Sequence, residues 1–291
     1  MKNSIGQICD SASNLPDNLV KEFGILKIPF YITFDDVNFY RHNIDISDEE
    51  FFKRMEKNPK KIPKTAAPNI NDWYERYEKS YKNGNKDIIV TTISPQLSGS
   101  FQNANIAKKQ FLEKYKDSNI EVINSKSCTC GQAALEISIA KMIKNNFKYE
   151  TVVKKAKETL NTMNTLFSVK TLKYMKEGGR IGGATAFLGK IINIKPIAEF
   201  VEGEVKAVKA VRGRKNSLNT MTKIALLRIK EPKNLIICTR EALCKNDENY
   251  IIELLKESFD DIKIYSGTLG AVIGAHSGPG SIGIGFVECA I

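Results

Sequence analysis

Along the first half of the chain, short runs of β-branched and aliphatic residues alternate with longer stretches whose apolar positions recur every three or four residues. Continuous or alternating apolar runs of four to eight residues mark strands, and the 3.6-residue recurrence marks helices that turn one face to a core. Residues 5–9, 26–34, 87–93 and 120–124 fit strands. Helices are expected at about 16–22, 47–55, 71–82, 98–115 and 129–145, the second of them capped by Ser47. Strands separated by helices imply a largely parallel sheet covered on both faces. Pro63-Lys64-Thr65-Ala66-Ala67-Pro68-Asn69 reads as a loop between two helices.

The second half changes character. A helix at about 149–163 leads to a strand at 166–169, a short helix at 171–177 and then Gly178-Gly179-Arg180-Ile181-Gly182-Gly183. Residues 194–201 and 204–211 face each other across Glu202-Gly203, a pattern that predicts a β-hairpin. Helices at 217–230, 246–256 and 269–275 then alternate with strands at 235–238, 262–266 and 282–287. The 291 residues exceed one average domain of about 100–200 residues. The expected fold is therefore α/β in two domains. Residues 1–165 would form an N-terminal domain on a largely parallel sheet flanked by helices, and residues 166–291 a C-terminal domain on a mixed sheet with helices.

Composition narrows the class without choosing a function. Apolar residues at 42% and charged residues at 26% suit a packed globular chain, not a disordered one. No run approaches the roughly 20 apolar residues that span a bilayer. Met1-Lys2-Asn3-Ser4 leads into the first strand without the long apolar stretch of a secretory signal, so a cytoplasmic setting is expected. The six scattered cysteines read as free thiols; Cys128 and Cys130 are spaced C-x-C with no histidine nearby, and no metal site is expected. Lys and Arg outnumber Asp and Glu by 44 to 33, giving a formal charge of +11. Nucleic acid, an anionic membrane or an acidic protein would each suit that charge. The basic residues are dispersed in small groups such as Lys60-Lys61 and Lys108-Lys109, with no DNA-binding motif. Transient contact with an anionic membrane is the expectation, and no nucleic acid.

Acid–base machinery is sparse. His42 and His276 are the two histidines, and no phosphate-binding loop, H-E-x-x-H helix or G-x-S-x-G elbow occurs. Gly278-Pro279-Gly280-Ser281-Ile282-Gly283 matches G-x-G-x-x-G in letters, but it runs into a strand instead of opening a helix. Such a chain suits a binder better than an enzyme. The segment Ile93-Ser94-Pro95-Gln96-Leu97-Ser98-Gly99-Ser100 follows a buried strand and opens a helix, where free backbone N–H groups and hydroxyls favour a carboxylate or phosphate. Taken alone, Ser98 is better read as a helix cap. Thr65 offers a hydroxyl between two prolines, and Cys9-Asp10-Ser11-Ala12-Ser13-Asn14 is another hydroxyl-rich strand-to-helix turn. Arg180 in Gly-Gly-Arg, Arg212-Gly213-Arg214-Lys215 and His276 combine basic or imidazole groups with glycines, a pairing that can grip an anion.

Six motifs occur in order: Asp-Ser-x-x-x-Leu after the first strand, Lys-Thr-x-x-Pro, Ile-Ser-x-x-Leu-Ser-Gly-Ser, Leu-x-x-x-x-x-Gly-Gly-Arg-Ile, Arg-Gly-x-Lys and His-x-Gly-Pro-Gly. Together, from residue 5 to about 288, they resemble the DegV family of fatty-acid-binding proteins. The resemblance implies two α/β domains with one long-chain fatty acid between them, its carboxylate bound by Thr65, Ser98 and Gly99. It implies no cofactor and no catalytic residue. The partner would be the catalytic subunit of a fatty-acid kinase, which phosphorylates the bound carboxylate to an acyl phosphate. Arg180 and His276 would lie near the exposed carboxylate end and serve in handing the ligand over more than in holding it. Two departures stand out: Ala66-Ala67 replaces the usual Ser-Gln after the threonine, and Cys-Thr-Cys-Gly-Gln (128–132) replaces a serine- and glycine-rich turn. The rival readings are lipid storage or transport without a kinase, a small-molecule enzyme using Ser98 as nucleophile or Gly-Gly-Arg as phosphate site, and a DNA-binding regulator resting on charge alone.

Overall fold

The computed structural model describes residues 5–188, 194–259 and 262–289. The reading of residues 1–4 falls outside them. In chain order the first half runs β1 (Ile5–Asp10), α1 (Asp17–Phe23), β2 (Leu26–Ile28), β3 (Tyr31–Thr33), β4 (Phe39–Arg41), α2 (Asp48–Lys57), β5 (Lys64–Ala66), α3 (Ile70–Lys82), β6 (Asp87–Thr92), α4 (Ser100–Lys114), β7 (Asn119–Asn124), α5 (Thr129–Lys144) and α6 (Tyr149–Thr159). The second half runs β8 (Asn164–Ser168), α7 (Lys173–Glu177), β9 (Ile194–Val201), β10 (Glu204–Arg212), α8 (Arg214–Arg228), β11 (Leu235–Glu241), α9 (Lys245–Lys256), β12 (Ile264–Thr268), α10 (Ala271–Ser277) and β13 (Ile282–Glu288).

Two large sheets organise the molecule. The first, in the order β2-β1-β6-β7, is parallel throughout. The second, β10-β9-β8-β13-β11-β12, is antiparallel except for the β11–β12 pair. Between them lies α5. An apolar stripe would bury one face of a helix, but α5 is buried at every position from Thr129 to Ala140, as befits a helix without a solvent side. Its Leu135, Ile139 and Met142 pack with Ile5, Ile89 and Ile123 of the parallel sheet. Its Ala133, Ala134 and Ile137 pack with Ile236, Cys238 and Val287 of the mixed sheet. The outer face of the parallel sheet is covered by Trp73, Tyr77, Ala104 and Phe111 of α3 and α4, and that of the mixed sheet by Leu218, Met221, Ile251 and Leu255 of α8 and α9. Five layers result. Close approach of α5 to the mixed sheet needs glycine at Gly285, where a Cβ would fall 2.3 Å from the Gly131 nitrogen.

The parallel sheet, the mixed sheet and the 194–201/204–212 hairpin match the expected α/β fold. Three local expectations are corrected. Residues 26–34 do not form one strand: Pro29 brings no N–H to the ladder, β2 ends at Ile28, and β3 joins a separate antiparallel sheet, β4-β3-β5. Thr65 lies on β5 opposite Ile32, not in a loop. Helix α4 starts at Ser100, two residues later than expected, with Gly99 at its cap position.

A polar chain runs through the apolar layers. Gln132 of α5 donates from Nε2 to Asp10 Oδ1 at 3.0 Å and to Glu136 Oε1 at 3.0 Å, and the Thr91 hydroxyl donates to the same Glu136 oxygen at 2.9 Å. Both carboxyls have no solvent exposure. Burial, with the neighbouring Asp10 charge adding to it, pushes Glu136 up to about 8. Burial raises Asp10 as well, opposed by the hydrogen bonds from Gln132, Ile93, Ser100 and Ala12, and at neutral pH Glu136 is a neutral acid. A carboxyl whose folded pKa lies above its unfolded value stabilises fully below about 4.5 and loses that contribution as pH rises to about 8. Glu136→Gln keeps an acceptor for Thr91 and Gln132 without the charge. Its melting temperature relative to wild type is expected to climb steadily between pH 5 and 8.5 in parallel thermal scans. A flat difference across that range refutes the assignment.

Candidate functional site

A cavity of about 950 Å³, its mouth included, opens where the N-terminal end of α5 meets both halves of the chain. Its walls are largely apolar, with Phe30 and Ile93 from the first half and Phe167, Phe200, Val272 and Ile273 from the second. Polar groups gather from Thr65, Ser98, Gly99, Arg180 and His276, all five of which line it. Sequence separations of up to 211 residues are closed here.

The Ser94–Ser100 turn is fixed at both ends by one carboxylate. Asp10 Oδ2 accepts from the Ile93 backbone N–H at 3.0 Å and from the Ser100 hydroxyl at 2.8 Å. The Ser94 hydroxyl donates to the Gly203 carbonyl at 2.9 Å, so the tip of the second half's hairpin presses on the turn. Gly203 has φ +86°, and a Cβ there would lie 2.3 Å from Ser94 Oγ. Ser98 is not the helix cap expected from the sequence, since Gly99 holds that position; its Oγ accepts from the Ser100 N–H at 3.3 Å, and its own O–H stays available. Above Gly99 a Cβ would meet nothing within 4 Å. Open space therefore lies over the first turn of a 15-residue helix, whose dipole favours an anion.

Another wall of the cavity is α10. Both its ends are tied to the first half of the chain. At its start Asp48 Oδ1 accepts the Ala271 N–H at 2.7 Å and is itself held by His42 Nε2 at 2.8 Å. At its end His276 Nε2 lies 2.9 Å from the Thr65 hydroxyl oxygen. Burial, reinforced by the Arg180 charge, pulls the imidazole down to about 4, so it is neutral at pH 7. Its Nδ1 is buried without a partner and backs onto Gly178, where a Cβ would fall 2.3 Å away. Placing the single proton on Nε2 leaves only a lone pair unmet at Nδ1, and frees the Thr65 O–H to point into the cavity.

Arg180 is exposed at the mouth, donating from Nε to the Leu97 carbonyl at 3.2 Å and from Nη1 to the Gly178 carbonyl at 2.7 Å. It is thereby laid across the Ser98 turn. Other sequence candidates are used elsewhere. Ser11 Oγ accepts the Phe30 N–H at 3.0 Å and Ser13 Oγ the Leu15 N–H at 3.4 Å; neither residue lines the cavity. Arg214 pairs with Asp247 at 2.8 Å and donates to the Gly280 carbonyl at 2.8 Å, bracing the His-x-Gly-Pro-Gly turn instead of gripping an anion. The contribution of α10's apolar face and the Asp48–Ala271 tie were not foreseen. No group of His, Cys, Asp or Glu suited to a metal occurs among the described residues.

Since the folded His276 resists protonation, its share of stability is present above about pH 6.5 and is lost as pH falls toward 4. Nitrogen-15 NMR of the empty protein is expected to show a neutral ring with the proton on Nε2 down to about pH 4. A midpoint near 6.5 overturns the burial argument.

Comparison with known proteins places the sequence and the fold. Residues 4–289 match the family described as "Uncharacterised protein, DegV family". A DegV domain-containing protein of Clostridium acetobutylicum is 32% identical over 279 residues, covering 96% of each chain. A stearic-acid-binding protein from Eubacterium ventriosum superposes with a TM-score of 0.91 at 28% identity over 98% of each chain. A DegV family protein from Thermus thermophilus, described for its fatty-acid binding, gives 0.89 at 26% identity over 98% of this chain and 99% of its own. A sequence matched over almost the whole length makes this chain a member of the DegV family.

Proposed function

We propose that this protein binds one long-chain fatty acid in the cavity and presents its carboxylate at the mouth to the catalytic subunit of a fatty-acid kinase, which would form the acyl phosphate. The observation that supports this most directly is the Thr65–His276 pair facing the Ser98-Gly99 turn across an apolar cavity. Neutral His276 would donate to Thr65, and Thr65 and Ser98 would donate to the carboxylate, with Gly99 allowing it to approach the helix end. Each buried CH₂ of the tail contributes about 0.8 kcal/mol, so the tail supplies most of the affinity. The protein itself would be non-catalytic. A serine nucleophile needs a base, and the hydroxyl His276 faces at 2.9 Å is that of Thr65. We further propose a cytoplasmic setting, where thiols such as the six here stay reduced, and a division into units near residues 165/166. Transient contact with an anionic membrane during loading fits the net charge of +11, and no nucleic-acid partner is proposed.

Protein purified from a bacterial host is expected to carry about one fatty acid per chain, read by mass spectrometry of denatured extracts. Extracts without acyl species, together with no uptake of added acid, would sink this reading. Thr65→Val with Ser98→Ala removes two donors to a charged acceptor, each worth roughly 1.5–3 kcal/mol. Fatty-acid affinity should fall at least tenfold, whereas loss of a cap alone costs about 1 kcal/mol of stability and leaves affinity unchanged. Melting temperature and affinity measured on the same samples separate the two.

The 2.9 Å contact between His276 and Thr65 supports a role for His276 in holding the ligand, through Thr65, more than in handing it over, and Arg180, exposed at the mouth, would be the group that faces a partner. Arg180→Ala is expected to keep its lipid and to lower acyl-phosphate formation when a fatty-acid kinase subunit and ATP are supplied. A lipid-loaded variant with undiminished turnover places the partner surface elsewhere.

A further inference from the structure

Glu136 does not line the cavity, yet a run of hydrogen bonds through Gln132 and Asp10 joins it to the Ser94–Ser100 turn that does. Glu136 Oε1 and Asp10 Oδ1 each accept from Gln132 Nε2 at 3.0 Å, so one amide nitrogen gives a hydrogen to each of two buried carboxyls. Asp10 Oδ2 accepts from the Ile93 N–H and the Ser100 hydroxyl, at the two ends of the turn. Thr91 also donates to Glu136 Oε1, which leaves the acid proton for Oε2. A glutamine would present the same acceptor and a donor beside it, with nothing to titrate.

The titratable groups that act with Glu136 are Asp10 and Cys9 of β1 and Cys238 of β11, and Lys27 of β2 acts on Cys9 in turn. Ser13, Thr91 and Gln132 are its neutral partners. Burial pushes the Cys238 thiol up to about 12 and raises Cys9 well above its usual value, so neither ionises before Glu136 does. In the cavity wall burial likewise pushes Cys130 up to about 11 and raises Cys128, while His276 is pulled down to about 4. Glu136 is therefore the member of this set that changes charge just above neutrality. Once it does, two anions share one amide where neither has solvent exposure, and they repel. Asp10 passes that repulsion to Ile93 and Ser100, and so to the turn. We propose that Glu136 is a positioning residue of the carboxylate site: while protonated it lets Gln132 and Asp10 hold the Ser94–Ser100 turn in its binding geometry, and loss of that proton weakens the grip on the ligand. This rests on the fatty-acid reading above and adds its control by pH.

The test is equilibrium binding of stearic acid to the delipidated full-length protein from about pH 6.5 to about 9.5, in wild type and Glu136→Gln side by side. Taking the ratio of the two affinities at each pH cancels the titration of the acid itself. Wild type is expected to lose affinity relative to Glu136→Gln by roughly fivefold across that range, the effect of a ligand that raises the Glu136 pKa by about one unit. By the same linkage, binding near pH 8.5 should take up more protons in wild type than in the variant, read by calorimetry in two buffers of different ionisation heat. Thr91→Val removes a donor that favours the charged carboxyl, so it should move the wild-type fall to higher pH. That variant covers the case in which Glu136→Gln does not fold. Parallel profiles in wild type and Glu136→Gln overturn the proposal and leave the fatty-acid reading standing, because Glu136 then only fills the core. A fall that Thr91→Val leaves at the same pH overturns it as well. Failure of stearic acid to bind at any pH removes the fatty-acid reading and this proposal with it.

Discussion

Asp10 sits at the carboxyl end of β1 with no solvent exposure, and its two oxygens accept four hydrogen bonds from three different segments. An unpaired charge in that position would be prohibitively costly, so the partners are obligatory. Those partners are the start of the following turn at Ala12, both ends of the Ser94–Ser100 turn through Ile93 and Ser100, and α5 through Gln132. One carboxylate thus refers the Ser94–Ser100 turn to the parallel sheet on one side and to the central helix on the other. Glu136 completes the arrangement as a neutral acid, because a second full charge beside Asp10 would meet repulsion as well as desolvation.

The central helix explains why the cavity lies where it does. Since α5 is buried against both sheets, neither sheet can close over its N-terminal end without collision, and space remains there. Helix α10 roofs that space from the second half of the chain but is tied at both ends to the first, by Asp48 and by Thr65. A seven-residue helix has little intrinsic stability of its own. Its position is set by those two ties and by packing against Phe52, whose ring would lie 2.7 Å from a Cβ at Gly274.

The two large sheets were legible because their strands and helices are long and strongly periodic, as in Asp87–Thr92 and Ile70–Lys82. The small sheet was not. Three residues cannot display a period, and Lys64–Ala66 becomes a strand only because β3 offers it a ladder. Thr65, Ser98, Gly99, Arg180 and His276 were singled out by motif order, and no local feature distinguished them from caps and turns. Their mutual geometry depends on contacts such as Thr65–His276, 211 residues apart, to which periodicity is blind. The hydroxyl-bearing turns at Ser11 and Ser13 looked equivalent in sequence, yet both are used by neighbouring backbone. Residue type alone does not tell a satisfied hydroxyl from a free one.

The electrostatic character of the head group follows from the same contacts. A carboxylate placed between Thr65 and the Ser98 turn would meet neutral donors and a helix end, with the one guanidinium already committed to the carbonyls of Leu97 and Gly178. Neutral donors spread their hydrogen bonds over both oxygens without fixing a counter-ion against either. Such an anion keeps its nucleophilicity, whereas a buried bidentate arginine would hold it in a low-energy ion pair that any onward reaction must first break. Burial keeps the His276 ring neutral, whereas a protonated imidazole would be such a counter-ion.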